Sequence, residues 1–223
     1  MRTRTTAYAK SRSCHRRLDH QLGGVANIGS RCPAADPMAS VFIGGSRAIS
    51  RLNPIIRERS DDLMHRGCVI LIGDANGADR MVQQYFADQG YRDIVVYCMS
   101  RCRNNVGDWP IKKVESVSKT KGFAYYAAKD LAMAQDANCG VMLWDGASNG
   151  TLNIIQNLIG SDKKVLVYLS ATKSFVKLND QPDLESLLLQ CDPREIAVAQ
   201  SHRGRSGASC PRHPNCLSPP SVS

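Results

Sequence analysis

The chain has 223 residues, 43% of them hydrophobic, and a formal net charge of +9. That length leaves room for one domain with a sizeable core, and no apolar stretch approaches the roughly 20 residues of a membrane span. The positive charge belongs to the ends: residues 39–193 hold 18 Lys/Arg against 17 Asp/Glu, residues 1–38 hold 7 against 2, and residues 194–223 hold 4 against 1.

Nucleic-acid binding rests on Lys and Arg gathered on the domain itself. The near-neutral central segment therefore argues against nucleic acid as a partner, and no membrane partner is expected. Nine cysteines are scattered along the chain. Cys68, Cys98 and Cys139 stand in or beside apolar runs, where a free thiol behaves as a small hydrophobe. The odd count, and a basic N-terminus without an apolar signal core, favour a reducing cytoplasm over a disulfide framework, so a cytoplasmic location is expected.

Residues 1–38 are rich in Arg, Ser and Thr and have no sustained period, so they are expected to be a disordered basic extension. Met38 stands just before the first strand-like run and is read as the functional start; the alternative is a genuine Arg-rich arm for targeting. The first unit runs Val41-Phe-Ile-Gly44-Gly45-Ser46-Arg47, a strand ending in two glycines, a hydroxyl and a guanidinium. A helix follows, with Asn53 as N-cap and Pro54 at its first position. Leu52, Ile55, Ile56 and Leu63 fall near one face of it.

The second unit is a strand from Val69 to Ile72 followed by Gly73, Asp74, Asn76, Gly77 and Asp79. Four consecutive apolar residues suit a strand buried on both faces of a parallel sheet. Ala78, Met81, Val82, Tyr85 and Phe86 then keep helical spacing. Asp74 and Asp79 either cap that helix or hold the ribose hydroxyls or base amine of a ligand.

A third strand, Ile94–Tyr97, leads to a loop carrying Arg101, Arg103, Asn104, Asn105, Gly107 and Trp109. Two guanidinium groups, two amides and an indole could clamp a phosphate and stack on a base, or form a solvated loop anchored by the indole. The next helix shows Phe123, Ala127, Leu131 and Ala134 on one side, with Lys129 and Asp130 beside that stripe, facing either a pocket rim or water, the default neighbour.

The fourth unit organises the rest. Val141–Trp144 leads into Asp145-Gly146-Ala147-Ser148-Asn149-Gly150-Thr151, and Leu152, Ile155 and Ile159 continue as a helix. Backbone N–H groups at a helix start have no intrahelical partner, and the helix dipole adds positive charge, so the place suits a phosphate. Val165–Tyr168 gives a fifth strand, and Phe175–Leu178 with Leu184–Leu189 completes the segment. Residues 192–223, rich in Ser, Pro, Arg and Gly, are expected to be a disordered tail. Cys210, His213 and Cys216 lie there, but three ligands at loose spacing do not make a zinc site.

Strands and helices alternate five times, which predicts a three-layer α/β/α fold with a mainly parallel sheet of about five strands or more. Ligands in such sheets bind at the carboxyl ends of the strands. The turns Gly44–Arg47, Gly73–Asp79 and Asp145–Thr151 all fall there, and their convergence points to a nucleotide or another phosphorylated ligand.

Four blocks, IGGSR at Ile43–Arg47, IGDANGADRMVQQY at Ile72–Tyr85, RNNVGDW at Arg103–Trp109 and WDGASNGT at Trp144–Thr151, resemble the YspA-like branch of the SLOG superfamily. The resemblance spans Val41 to Leu189 and makes residues 39–191 a SLOG-like nucleotide-binding domain. It implies a Rossmann-like fold shared with the DprA DNA-processing proteins and the LOG-type phosphoribohydrolases. It also implies binding of nucleotides or nucleotide-derived ligands, by sensors in some members and hydrolases in others. Gly44, Gly45, Ser46 and Arg47 match the first glycine loop, and Asp74, Asn76, Gly77 and Asp79 the second. Gly150 and Thr151 match the GT pair of the LOG signature PGGxGTxxE. The signature's proline and paired glycines are absent, and its glutamate position is occupied by Ile154.

The expected ligand set is therefore Gly44, Gly45, Ser46, Arg47, Gly73, Asp74, Asn76, Gly77, Asp79, Arg103, Asn104, Asn105, Trp109, Asp145, Gly146, Ser148, Gly150 and Thr151. The expected partner is a small-molecule nucleotide such as an ADP-ribose or NAD derivative, sensed or sequestered, with no cofactor and no metal. The sequence leaves a homo-oligomer open. The alternatives are a nucleotide hydrolase acting on an N-glycosidic or phosphoester bond and a DprA-like binder of single-stranded DNA.

Overall fold

The computed structural model describes residues 39–116 and 122–191. The expectations for residues 1–38, for Met38, for residues 192–223 and for Cys210, His213 and Cys216 lie outside the described residues.

Among the described residues seven strands form one sheet: β1 (Ser40–Gly45), β2 (Val69–Gly73), β3 (Ile94–Cys98), β4 (Ile111–Lys113), β5 (Cys139–Trp144), β6 (Val165–Leu169) and β7 (Ser174–Leu178). Their order is β4-β3-β2-β1-β5-β6-β7. Every neighbouring pair is parallel except β6 and β7. Among the described residues five helices accompany them: α1 (Pro54–His65), α2 (Ala78–Asp88), α3 (Phe123–Asp136), α4 (Asn149–Ile159) and α5 (Gln181–Leu189). This is the Rossmann-like α/β arrangement expected from the alternating pattern.

Period-two alternation along the strands sends side chains to opposite faces of the sheet. Val41, Ile43, Ile70, Ile72, Ile94 and Val96 build one core with Ile56 and Leu63 of α1 and Val82 and Phe86 of α2. Phe42, Leu71, Tyr97 and Met142 build the other with Met133 of α3, Leu152, Ile155 and Leu158 of α4 and Leu184 of α5. Burying one such side chain fully is worth about 1.5–3 kcal/mol. Asn53 caps α1 as expected, accepting the Ile56 N–H at 3.3 Å.

Three features differ from the sequence reading. β4 adds an edge strand of three exposed residues, too short and too polar to show a period. β7 returns antiparallel along β6. The buried residues of α3 are Lys129, Met133 and Ala134, while Phe123 and Leu131 are 61% and 44% exposed. The N-terminal half of α3 borders a cleft rather than the core, so its apolar residues are not the inward ones.

The chain passes from β1 to β2 on one side of the sheet, and α3 carries it back to β5 on the other side of β1. β1 and β5 therefore flank the point where strand order reverses, which is where open α/β sheets leave a crevice at their carboxyl ends. Among the described residues no helix is long and apolar enough to cross a membrane.

Candidate functional site

The carboxyl ends of β1 and β5 are pressed together. A Cβ on Gly45 would stand 2.2 Å from the Leu143 carbonyl oxygen, so only glycine fits. Ser46 donates its N–H to that oxygen at 2.8 Å and its hydroxyl to Asp145 Oδ2 at 2.6 Å. Asp145 Oδ1 accepts the N–H groups of Ala147 at 3.2 Å and Ser148 at 2.8 Å, folding the turn back on itself. Gly146 takes φ 89° there. Ser148 is the N-cap of α4; its hydroxyl oxygen accepts the Thr151 N–H at 3.4 Å and the Thr151 hydroxyl at 3.1 Å. Ser46, Asp145 and Gly146 thus build the turn, and the backbone of Asn149 and Gly150 heads the helix at the cleft.

The two glycine-rich helix starts are not equivalent. At α2, Ala78 donates its N–H to Ser46 O at 3.2 Å, and a Cβ on Gly77 (φ 82°) would stand 2.4 Å from the backbone of Arg47. The β1 turn closes that helix end. At α4, a Cβ on Gly150 would meet nothing within 4 Å, and Gly150 lies inside the helix without a positive φ. The open helix N-terminus is that of α4.

Beside it lies a buried charged cluster. Asp74 takes Arg103 in a fork, Nη2 to Oδ1 at 2.7 Å and Nε to Oδ2 at 3.1 Å, and also accepts the Arg103 backbone N–H at 3.1 Å. Lys129, 3% exposed, places Nζ 3.6 Å from Asp74 Oδ1 and 3.5 Å from Asp130 Oδ1. Asp79 is buried between the glycine ends of two strands. A Cβ on Gly73 would stand 2.4 Å from its Oδ2 and 2.6 Å from Lys129 Nζ, and one on Gly44 would stand 3.7 Å from its Oδ1. The Asp79 carboxyl accepts the Ala75 N–H at 3.3 Å.

Burial acts on each group of the cluster, and its neighbours decide the outcome. At Asp74, burial is outweighed by Arg103 and Lys129, which hold the carboxyl below the usual range. At Asp79, burial wins over the attraction of Lys129, with Asp130 and Asp74 adding repulsion, and the pKa is pushed up to about 6. Burial likewise raises Asp130. At Lys129, burial favours the neutral amine, but Asp130, Asp79 and Asp74 outweigh it and keep the ammonium charged.

These pieces meet in a cleft of about 640 Å³. Of the expected set, Gly44, Gly45, Arg47, Asp79, Arg103, Ser148, Gly150 and Thr151 line it. So does Ile154, at the position where the LOG signature has glutamate. Ser46, Asp145 and Gly146 shape the adjoining turn, as described, and Gly73 and Gly77 allow close packing. Asp74 reaches a second cavity of about 380 Å³, whose wall of Arg103 and Tyr126 is shared with the cleft. Asn104 donates to Asp74 O at 2.8 Å and to Asn76 Oδ1 at 3.0 Å, tying its loop to β2.

Trp109 corrects the expectation of base stacking. It is 4% exposed, sits in the core and donates its indole N–H to Tyr91 O at 2.9 Å. Asn105 brackets the same residue through the Trp109 N–H at 3.0 Å and carbonyl at 2.8 Å. The sequence reading missed Tyr126, and it left Asn149 and Phe123 out of the expected set; Lys129 and Asp130, placed between a pocket rim and water, turn out to line the cleft with them. Counting back from Met133 by one helical turn reaches Lys129, and that spacing was the available signal. Asn149 Oδ1 is a buried acceptor without a hydrogen-bond partner among the described residues. No group of three or more His, Cys, Asp or Glu there is placed to hold a metal ion.

No family model matches the chain, and no curated protein matches it. Among solved structures it is similar to DNA processing protein A from Helicobacter pylori, described in its single-stranded DNA binding mode. That similarity has a TM-score of 0.45 and 16% identity, and it covers 77% of this chain and 83% of the other. The expectation that nucleic acid is not a partner is corrected beside this neighbour. The near-neutral charge of residues 39–193 is a sum over the whole segment, and a sum does not describe the charge inside one cleft.

Proposed function

We propose that residues 39–191 are a nucleotide-binding domain whose cleft, at the β1/β5 reversal, holds a phosphorylated nucleotide of the ADP-ribose or NAD type and senses or sequesters it. One observation carries the reading. An open helix N-terminus, a glycine shoulder at Gly44 and Gly45, and a buried cluster of mixed charge line the same cleft of about 640 Å³. That size suits a small-molecule ligand. A phosphate belongs at Asn149 and Gly150, where unpaired N–H groups and the helix dipole favour negative charge, and Arg47 lines the same cleft and is exposed. Ribose hydroxyls suit Asp79 and the orphaned Asn149 Oδ1, which both lack a fully engaged donor set. The motif resemblance to the YspA-like SLOG branch supports the same ligand class.

Hydrolysis of the ligand is a second reading, favoured by Asp79, because a cleft carboxyl with its pKa near 6 has the range of a general acid or base. Single-stranded DNA is the third ligand class. A thermal-shift panel of AMP, ADP-ribose, NAD and an oligothymidylate separates them. The expected result is stabilisation by a mononucleotide or dinucleotide, with the ligand mass unchanged after incubation. Stabilisation by the oligothymidylate alone would overturn the small-molecule reading, and a released product would move the assignment to the hydrolase.

A further inference from the structure

We infer that the cleft recognises the base of its ligand by stacking, on an aromatic platform made by Phe123 and Tyr126 in the first turn of α3; this rests on the proposed binding of a phosphorylated nucleotide in that cleft. Phe123, Tyr126, Ala127 and Asp130 line the cleft at positions i, i+3, i+4 and i+7. That spacing puts them on one helical face. Along that face the chemistry changes from aromatic at the helix start, through a small side chain, to a carboxyl one turn further on. A flat apolar group joined to a hydroxyl-bearing sugar matches that order, and a nucleoside is such a group.

Exposure supports the assignment. Phe123 is 61% exposed and Tyr126 37%, although both border a cavity. Tyr126 is oriented by its neighbours: the Arg103 guanidinium lies 5.1 Å from its ring centroid, and the Tyr125 ring packs against it at 5.2 Å and 87°. Arg103 is in turn fixed by its fork with buried Asp74. The tyrosine ring is thereby set in place before any ligand arrives, which lowers the entropy cost of stacking. Among the described ring and cation contacts none occupies Phe123. Trp109, the aromatic residue that the sequence suggested for this role, is committed to the core.

The test uses the full chain and isothermal titration with two probes, AMP and ribose 5-phosphate, which differ by the base. Stacking on an aromatic side chain predicts that AMP binds the parent at least about ten-fold more tightly than ribose 5-phosphate. Phe123→Ala and Tyr126→Leu should each shrink that ratio while leaving the ribose 5-phosphate affinity unchanged, and Phe123→Trp should restore it. Circular dichroism melts confirm that the variants fold; Phe123 is exposed, so its replacement removes little packing. Equal affinity for the two probes would overturn the platform and leave the phosphate reading intact. A ratio that survives both substitutions would also overturn it, placing the base elsewhere. Failure of both probes to bind would overturn the platform, and the cleft reading falls with it only if ADP-ribose and NAD also fail to bind.

Discussion

Asp79 shows what a single residue contributes. Its carboxyl is buried without a guanidinium partner, and its pKa rises from 3.8 to about 6. A group with a raised folded-state pKa contributes its stability below the unfolded value and loses it as pH rises through the folded one. Native Asp79 therefore costs stability above about pH 6, by on the order of 3 kcal/mol at full ionisation. Asp79→Asn is expected to raise stability at pH 8, with the gain fading as pH falls through 6 toward 4; urea denaturation at both pH values measures it. A loss of stability at pH 8 would show that Lys129 more than repays the burial. A second expectation concerns Ile154, which lines the cleft but can neither take a proton nor stabilise a developing cation. Incubation with AMP or a cytokinin monophosphate should release no free base by chromatography. Release abolished by Asp79→Asn would identify Asp79 as a replacement carboxylate. Lys129 was left between a pocket rim and water by the sequence, because a charged residue beside an apolar stripe ordinarily faces water. Trp109 misled for the opposite reason: an indole in a polar loop reads as exposed, and only the fold shows Tyr91 O waiting for its N–H.

At the scale of elements, α1 was legible because a capping residue and helical spacing coincide there, and α2 and α4 because helical spacing follows a glycine turn; α2 starts at Gly77 with no side-chain cap, so Asp74 and Asp79 do not cap it. α3 was legible as a helix but its inward face was not, since its first half lines a cleft and Phe123 and Leu131 point outward. The glycines separate by the same local test. Gly45 serves the contact between β1 and β5, so Gly45→Ala must displace the Leu143 carbonyl and is expected to cost about 1–3 kcal/mol or more. Gly150 faces open space, so Gly150→Val should leave stability close to the parent while setting a branched side chain where a phosphate would approach. Thermal melts of the two variants side by side check the contrast. A Gly150→Val protein as destabilised as Gly45→Ala would mean that the start of α4 is packed rather than open. Sequence alone could not tell the closed glycine turn from the open one, because nothing in the local residues shows that Arg47 closes the start of α2.

For the whole molecule, alternation of strands and helices announced the fold class but not the strand order. The reversal at β1 and β5 depends on α3 carrying the chain across the sheet, a choice made by tertiary packing. That reversal gathers residues from Gly44 to Ile154 at one rim. The claim that this rim is a phosphate-binding cleft is tested most directly by equilibrium binding of ADP-ribose to the parent and to Gly150→Val under identical conditions. The account predicts measurable binding by the parent and a loss of at least about ten-fold in the variant, at nearly unchanged melting temperature. Equal affinity in the two proteins, or no binding by the parent to any nucleotide of the panel, would contradict it.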